Sequence, residues 1–179
     1  MVRCDKTKAE VQLTEARDKA QAIESELLTS HPELRAGSFS NAIEEYAEAR
    51  LYQVWFSDSK SQTIAGPSHP HFVGMVETTE YLGGLADFTG EVGRWAVAAA
   101  SRRDETAVRA ALATDHACLQ AWMALQVGGK LGKKEGAIKT NTRKVESLLY
   151  DLSVARAGGK KASVASDDGG DGGGDGGEN

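Results

Sequence analysis

The most constraining feature of this sequence is a helix-like stretch with four glycines, YLGGLADFTGEVGRWAV, at residues 81–97. Each glycine in a helix interior costs about 1 kcal/mol relative to alanine. The same stretch carries two acids, Asp87 and Glu91, beside apolar residues. A chain that keeps a helix at this cost must use the missing side chains, either for close packing or for open space beside the acids.

At about 100° per residue, this helix sorts into three stripes. The first is large and apolar and is predicted to lie in the core: Tyr81, Leu85, Phe88, Val92 and Trp95. The second contains only small residues and is predicted to let another helix approach closely: Gly83, Ala86, Gly90 and Gly93. The third places Asp87 and Glu91 one turn apart, after Gly84 and before Arg94.

Residues 41–56, NAIEEYAEARLYQVWF, are predicted to form another helix, with Ser40 as its N-cap. One face of this helix carries two acids beside aromatic residues: Glu45, Glu48, Tyr52 and Trp55. Glu44 lies on a different face and is interpreted as a solvated surface charge. The two helices together supply a set that we call the acid cluster: Glu45, Glu48, Asp87 and Glu91.

The acid cluster has two explanations. The four acids could be solvated surface charges, but the neighbouring glycines and aromatic residues favour a site. Four carboxylates from two helices repel one another unless a cation lies among them, and hard oxygen ligands suit Mg²⁺ or Mn²⁺. Such a cation can activate water and stabilise charge on a phosphate. A di-iron site fits less well because it requires Glu-x-x-His pairs, whereas Glu45 is followed by Glu48 at that spacing.

Amphipathic patterns predict three more helices, near residues 8–30, 104–126 and 138–156, and extend the glycine-rich helix to about residue 102. The first of these carries its apolar face at Leu13, Ala16, Ala20, Ile23 and Leu27. No strand pattern competes, and short connections favour antiparallel neighbours. The predicted fold class is therefore all-α, an antiparallel helical bundle formed by residues 1–159.

Residues 160–179 are rich in glycine and acids and are predicted to form a disordered acidic tail, because they contain no apolar cluster to bury. From Ala162 onward the chain has no Lys or Arg but five acids, which account for the whole net charge of −5. The remainder of the chain is therefore neutral, and its lysines are available to bind anions.

The chain contains two cysteines, Cys4 and Cys118, and shows neither a signal peptide nor an apolar run of the roughly 18 residues that a bilayer span needs. We therefore expect a reducing intracellular compartment, the cytoplasm, with the nucleus as a second location, and no membrane partner. His69 and His71, in the sequence PSHPH, are interpreted as turn residues rather than as metal ligands.

Three blocks of the sequence resemble the translin family, and within it translin-associated factor X and the archaeal translin-like ribonucleases. The blocks are EEYAEA at residues 44–49, EYLGGLADFTGEVGR at residues 80–94 and KVESLLYDLSVAR at residues 144–156. The resemblance covers roughly residues 12–156. It implies the translin-like α-helical fold, a chain that is missing part of the N-terminal helix region, and a hollow octamer whose acids face the interior.

The resemblance also implies a metal-dependent endoribonuclease that cleaves single-stranded RNA, with Mg²⁺ or Mn²⁺ as cofactor. The catalytic and metal-binding acids of the family fall on the acid cluster. Expected partners are a translin-type subunit or further copies of the chain, in assemblies up to an octamer. Two alternatives stay open: a non-catalytic subunit that binds single-stranded RNA or DNA in a translin-type oligomer, and a purely structural bundle.

An acidic site cannot hold a polyanion unaided, so basic residues must lie near it. Arg94 lies on the acid stripe itself. The other candidates for RNA binding form what we call the basic run: Lys130, Lys133, Lys134, Lys139, Arg143 and Lys144. The alternative interpretation of the basic run is a solvated loop and helix start.

Overall fold

The computed structural model describes residues 6–57 and 62–165, with side chains described for residues 7–57 and 62–157. Within these residues the regular structure is entirely helical, which confirms the predicted all-α class. The helices are α1 Lys6–Ile23, α2 Ser38–Ser57, α3 Thr78–Ser101, α4 Glu105–Leu125, α5 Gly129–Gly132 and α6 Glu135–Ala165. A π-helical turn, Glu24–Leu28, continues α1, and a 3-10 turn, Pro32–Arg35, precedes α2.

Two helix ends differ from the prediction. α2 begins at Ser38, so Ser40 lies inside the helix and the prediction that it is the N-cap is wrong. α6 continues to Ala165, past the predicted end at residue 156, so the proposed start of the tail at residue 160 falls within a helix. The rest of the predicted tail, residues 166–179, lies outside the described residues.

The N-terminus of α3 is fixed by a buried acid, Glu80. Its carboxylate accepts the backbone N–H of Glu77 at 2.9 Å, and the Glu77 side chain caps the helix in return. Arg35 donates to the same carboxylate through both terminal nitrogens, at 2.5 and 2.7 Å. Arg35 balances the charge of Glu80, which is only 2% exposed, and the mutual capping of Glu77 and Glu80 fixes the start of α3.

α3 lies at the centre of the bundle and packs against α2, α4 and α6. α3 and α4 form a hairpin, in which Asp104 caps α4 by accepting the backbone N–H of Ala107 at 3.0 Å. α4 and α6 run antiparallel, as predicted for neighbouring helices. Two contacts show this direction: the ion pair of Glu105 with Arg156, and the hydrogen bond between the side chains of His116 and Glu146.

α2 and α3 make their closest contact at Gly84. A Cβ atom at Gly84 would lie 2.7 Å from the carbonyl oxygen of Glu44 and 2.7 Å from the backbone nitrogen of Glu48, so the two backbones touch here. Further along both helices, Trp55 meets Trp95 edge to face, with ring centroids 5.1 Å apart. These contacts show that α2 and α3 run in the same direction, so the predicted antiparallel arrangement does not hold for this pair. The segment before α3 returns the chain to the end of the bundle at which α2 begins.

The small-residue stripe predicted for this contact is wrong in part. A Cβ atom at Gly93 would meet nothing within 4 Å, and one at Gly90 would meet only the amide nitrogen of Asn141 at 3.6 Å. The close approach instead uses Gly84, which the prediction assigned to the acid stripe, and its neighbour Gly83. The physical reason is that α2 packs on the side of α3 that bears Gly83 and Gly84, whereas Gly90 faces Asn141 of α6.

The core contains the predicted apolar stripe of α3. Four of its members are buried, and Trp95 is half-buried: the buried ones are Tyr81, Leu85, Phe88 and Val92. Two of the buried aromatic residues have partners for their polar atoms, whereas the indole nitrogen of Trp122 has none in the described structure. Trp55 donates its indole N–H to the Thr114 hydroxyl at 3.0 Å, and the Tyr81 hydroxyl donates to the Ala65 carbonyl at 2.8 Å. These bonds allow large aromatic rings to be buried without loss of their polar interactions.

The apolar face predicted for α1 is wrong in part. Ala20 is buried and Leu13 is half-buried, whereas Ala16, Ile23 and Leu27 are exposed. α1 packs mainly against α2. A single neighbouring helix buries only a narrow strip of α1 rather than its whole predicted apolar face. Arg50 of α2, which is 1% exposed, holds α1 in place by donating to Glu10 at 2.7 Å.

No helix in the described part of the chain combines the length and the apolar character that crossing a bilayer requires.

Cys118 is a buried free thiol whose pKa is raised to about 12 by burial and by the charge of Asp115. Cys4 lies outside the described residues. Asp115 itself is fully buried, and neither of its carboxylate oxygens has a hydrogen-bond partner in the described structure. Burial raises the pKa of Asp115 to about 7.

The contact at Gly84 predicts a strong difference between two glycine substitutions in one helix. Gly84→Ala should lower the free energy of unfolding by about 1–3 kcal/mol, because the new methyl group meets backbone atoms of α2 that cannot move away singly. Gly93→Ala, the matched control, should raise the free energy of unfolding by up to about 1 kcal/mol, because its methyl group has no neighbouring atom within 4 Å. Chemical denaturation of both variants measures the difference, and equal effects would contradict the proposed contact.

The raised pKa of Asp115 predicts that the free energy of unfolding depends on pH between about 4 and about 7. Its pKa is 3.8 in an unfolded reference and about 7 in the folded protein, so the unfolded state binds fewer protons between these values. The free energy of unfolding therefore falls as pH rises from about 4 to about 7, by an amount on the order of a few kcal/mol.

Asp115→Asn should remove this component, because the amide does not ionise. Thermal melts at pH 5 and pH 8 should show a smaller pH-dependent loss for this variant than for the wild type, while Asp151→Asn, an exposed control on α6, should behave like the wild type. Identical pH profiles for all three proteins would show that Asp115 does not carry the effect.

Candidate functional site

All four residues of the acid cluster line one open depression of about 490 Å³ on the surface of the bundle. α2 contributes Glu45 and Glu48, which are three residues apart on one helix face, and α3 contributes Asp87 and Glu91, which are one turn apart. The remaining lining comes from α3 and α6: Ala86, Gly90, Arg94, Ala137 and Asn141. We call this surface the acid depression.

The crossing at Gly84 brings the acids together. Because a Cβ atom at Gly84 would lie 2.7 Å from backbone atoms of Glu44 and Glu48, the α2 segment that bears Glu45 and Glu48 lies directly against α3. Asp87 follows Gly84 by three residues, on the adjoining turn. Gly90 adds no side chain to the depression beside Asp87, which keeps it open.

Asn141 closes the α6 side of the depression. Its amide nitrogen donates to the Thr89 hydroxyl at 3.0 Å, and that hydroxyl donates to the Ala86 carbonyl at 2.7 Å. This chain of hydrogen bonds fixes the amide of Asn141 beside the acids. The sequence analysis missed Asn141, since no motif distinguishes it from other polar residues of the last helix.

The acids differ in how their charge is balanced. Glu91 forms an ion pair with Arg94 on the rim, and Asp87 forms one with Lys134 at 2.5 Å. Burial raises the pKa of Glu48 above its usual value, and the neighbouring charges of Glu45 and Asp87 raise it further. The depression therefore carries an excess of negative charge centred on Glu48.

The interpretation of Glu44 from the sequence is wrong. Glu44 is not a solvated surface charge: its carboxylate accepts a hydrogen bond from the Lys134 ammonium at 2.5 Å, and only a quarter of its side chain is exposed. A Cβ atom at Gly83 would lie 2.3 Å from the Glu44 carboxyl carbon, so the glycine makes room for this carboxylate. The sequence feature that bears on Glu44 is Gly83, which lies on a different helix, and no local pattern connects the two residues.

The donor set fits a hard divalent cation. The acid cluster offers carboxylate oxygens, which Mg²⁺ and Mn²⁺ prefer, and two of its four acids, Asp87 and Glu91, have basic partners in the described structure. As the side chains stand, no three His, Cys, Asp or Glu residues of the described structure are grouped closely enough to hold a metal. Neither His69 nor His71 lines the acid depression.

Two further concavities adjoin the acid depression. The first, which we call the aromatic groove, has a volume of about 410 Å³, shares Glu45, Glu48 and Glu91 with the acid depression, and lies between α1 and α2. Its apolar wall includes Tyr52 and Phe56, whose rings stack with centroids 5.9 Å apart. The second, about 360 Å³, lies beyond the Lys134–Glu44 pair. Its polar lining includes Ser40, Asn41, Thr79 and Lys130.

A comparison with protein families decides where this chain belongs. The family model described as the Translin family matches residues 2–156. The chain belongs to the translin family. No curated protein matches the chain at a significant level. Members of the translin family bind nucleic acids and form oligomers, so membership supports a nucleic-acid-binding role. The all-α architecture agrees with the translin helical fold.

The basic residues expected to serve nucleic-acid binding in a translin-family protein fall into two groups. Lys134 and Lys139 are half-buried and paired with acids, the latter with Glu135 at 2.5 Å. The remaining candidates are exposed: Arg94, Lys130, Lys133, Arg143 and Lys144. Of these, Arg94 lies on the rim of the acid depression and Lys130 lines the polar concavity beside it. The structure therefore places Arg94 next to the acid cluster, and Lys130 in a concavity that includes Glu44 and Lys134.

Proposed function

We propose that this translin-family protein is a metal-dependent endoribonuclease that cleaves single-stranded RNA, in the branch of translin-associated factor X and its archaeal counterparts. The observation that carries the proposal is the position of the acid cluster: four carboxylates from two helices line one depression. A protein that only bound RNA would gain nothing from concentrating negative charge where a phosphate backbone must pass.

In this proposal the acid cluster holds Mg²⁺ or Mn²⁺. The bound cation supplies activation of a water molecule and stabilises the charge that develops on the phosphate. Glu48, with acidic neighbours on both helices, gains most from a cation, because burial and those neighbours disfavour its charge. Asn141, held by Thr89, offers a neutral polar group at the edge of the same depression.

Arg94 is the residue best placed to bind the RNA backbone. Its side chain is 77% exposed and pairs with Glu91, so its guanidinium lies on the rim with donors that can reach phosphate oxygens. Lys130 and Lys133, both exposed, extend the positive charge along the adjoining surface. These cations would offset the repulsion between the acid depression and the RNA.

The aromatic groove supports a preference for unpaired RNA. It adjoins the acids and has an apolar wall that includes the stacked rings of Tyr52 and Phe56. An unpaired base can enter such a groove and bury its apolar face, whereas a base inside a duplex is already stacked. A base in the aromatic groove would place its own phosphate near Glu45, Glu48 and Glu91, which both concavities share.

We further propose that the protein acts in an oligomer, either with a translin-type subunit or with copies of itself, up to an octamer, in the cytoplasm and in the nucleus. Several exposed apolar residues on three helices provide surface for such contacts: Val97, Met123, Leu125, Tyr150 and Val154.

Glu48→Gln tests the proposed reaction. The variant keeps the size of the side chain but removes one negative charge, so single-turnover cleavage of labelled single-stranded RNA with Mg²⁺ should fall by about a hundredfold or more. Its melting temperature without metal should stay the same or rise, because repulsion by Glu45 and Asp87 is relieved. RNA retention on a filter should persist.

Glu15→Gln, at an exposed position of α1, is the matched control and should cleave at the wild-type rate. EDTA should abolish cleavage by the wild type. Cleavage by Glu48→Gln at the wild-type rate would remove the acid cluster from the reaction. A wild type that retains RNA but does not cleave it with either metal would identify a binding subunit instead.

A further inference from the structure

Lys134 is enclosed by acceptors at the edge of the acid depression. Its ammonium lies 2.5 Å from the Glu44 carboxylate, 2.5 Å from the Asp87 carboxylate and 3.3 Å from the Gly83 carbonyl oxygen. These three acceptors match the three hydrogens of an ammonium group. Only a quarter of the Lys134 side chain is exposed, so this cation belongs to the structure of the site rather than to its open surface.

The backbone of Lys134 is fixed while its side chain is long. Its N–H donates to the Leu131 carbonyl at 2.8 Å, and its carbonyl accepts the N–H groups of Ala137 and Ile138 at the start of α6. The ammonium is therefore carried by a flexible four-carbon stem on a rigid base. Such a group can move from one acceptor to another without a change of fold.

The charge of Lys134 persists at neutral pH. The ammonium donates to two carboxylates, and these opposite charges favour its charged form. A full positive charge thus lies 2.5 Å from an oxygen of Asp87, a member of the acid cluster. At this distance the ammonium occupies the place from which a divalent cation would bind the same oxygen, and it repels any cation close by.

We propose that Lys134 is an internal competitor of the divalent cation for Asp87, and that Glu44 is the acceptor that retains Lys134 when the metal takes Asp87. The inference rests on the proposed metal-dependent function. Without metal, Lys134 balances the charge of Asp87 and stabilises the folded protein. With metal, Asp87 is transferred from the ammonium to the cation, and Lys134 remains paired with Glu44 beside the depression.

The alternative role for Lys134 is to position Asp87 for the metal, and the two roles predict opposite signs. Removal of a competitor strengthens metal binding, whereas removal of a positioning residue weakens it. Lys134→Gln separates them, because glutamine keeps N–H donors for the same oxygens but has no charge. Lys133→Gln is the matched control, since Lys133 is the exposed neighbour in sequence.

The experiment is calorimetric titration of Mn²⁺ into each protein without RNA, together with melting temperatures with and without Mn²⁺. Lys134→Gln should bind Mn²⁺ about tenfold more tightly than the wild type. It should also melt at a lower temperature without metal and gain more from added Mn²⁺. Lys133→Gln should match the wild type in every measurement.

Lys134→Arg provides a second test if the glutamine variant does not fold. Arginine keeps the charge and can pair with a carboxylate through two nitrogens, so Mn²⁺ binding should be equal to or weaker than that of the wild type. The competitor role is overturned if Lys134→Arg binds Mn²⁺ more tightly than the wild type. It is also overturned if the wild type binds Mn²⁺ and Lys134→Gln binds it equally well or more weakly. Either result leaves the proposed function standing. No Mn²⁺ binding by any of these proteins overturns both.

Discussion

The close approach of α2 and α3 at Gly84 is the contact on which the rest of the site depends. With no side chain at this position, the α3 backbone meets the backbone of α2 at Glu44 and Glu48, and the two helices run side by side. Helices separated by an ordinary side chain would hold their acids further apart. The cost of glycine in a helix, about 1 kcal/mol, is therefore offset by packing and serves the placement of the acids.

The close approach of α2 and α3 brings like charges together, and nearby basic side chains balance part of that charge. It concentrates negative charge between two helices, where burial and like charges already raise the pKa of Glu48. Lys134 and Arg94 each take one acid of the cluster as a partner. These pairs balance Glu91 and Asp87, whereas no ion pair forms at Glu48 among the residues that the structure describes. Under the proposed function, a divalent ion would balance the negative charge that remains.

Sequence patterns were sufficient for the helical class, for the main helices and for the residues of the acid cluster. Each of these depends on spacing within one helix, and periodicity reports such spacing directly. Glu45 and Glu48 could be placed on one face of α2, and Asp87 and Glu91 on one face of α3, before any contact between the helices was known. The family blocks in these helices then pointed to the same four residues.

What the sequence could not give depends on contacts between distant segments. Glu44 differs from Glu45 only in its helix face, and its partner Lys134 lies far along the chain, on the turn before α6. The choice between Gly84 and Gly93 as the contact glycine depends on where α2 crosses α3, and both glycines look alike in a helical pattern. Asn141 and the polar concavity around Lys130 likewise exist only once α6 and the turn before it are placed.

The central claim is that the crossing of α2 and α3 builds a site for a divalent cation. The most direct measurement is an anomalous difference map from a crystal of the protein soaked in Mn²⁺. The account predicts a peak in the acid depression, next to carboxylate oxygens of Glu48 and Asp87. A well-ordered crystal with no peak there, or with Mn²⁺ bound only at His69 and His71, would contradict it.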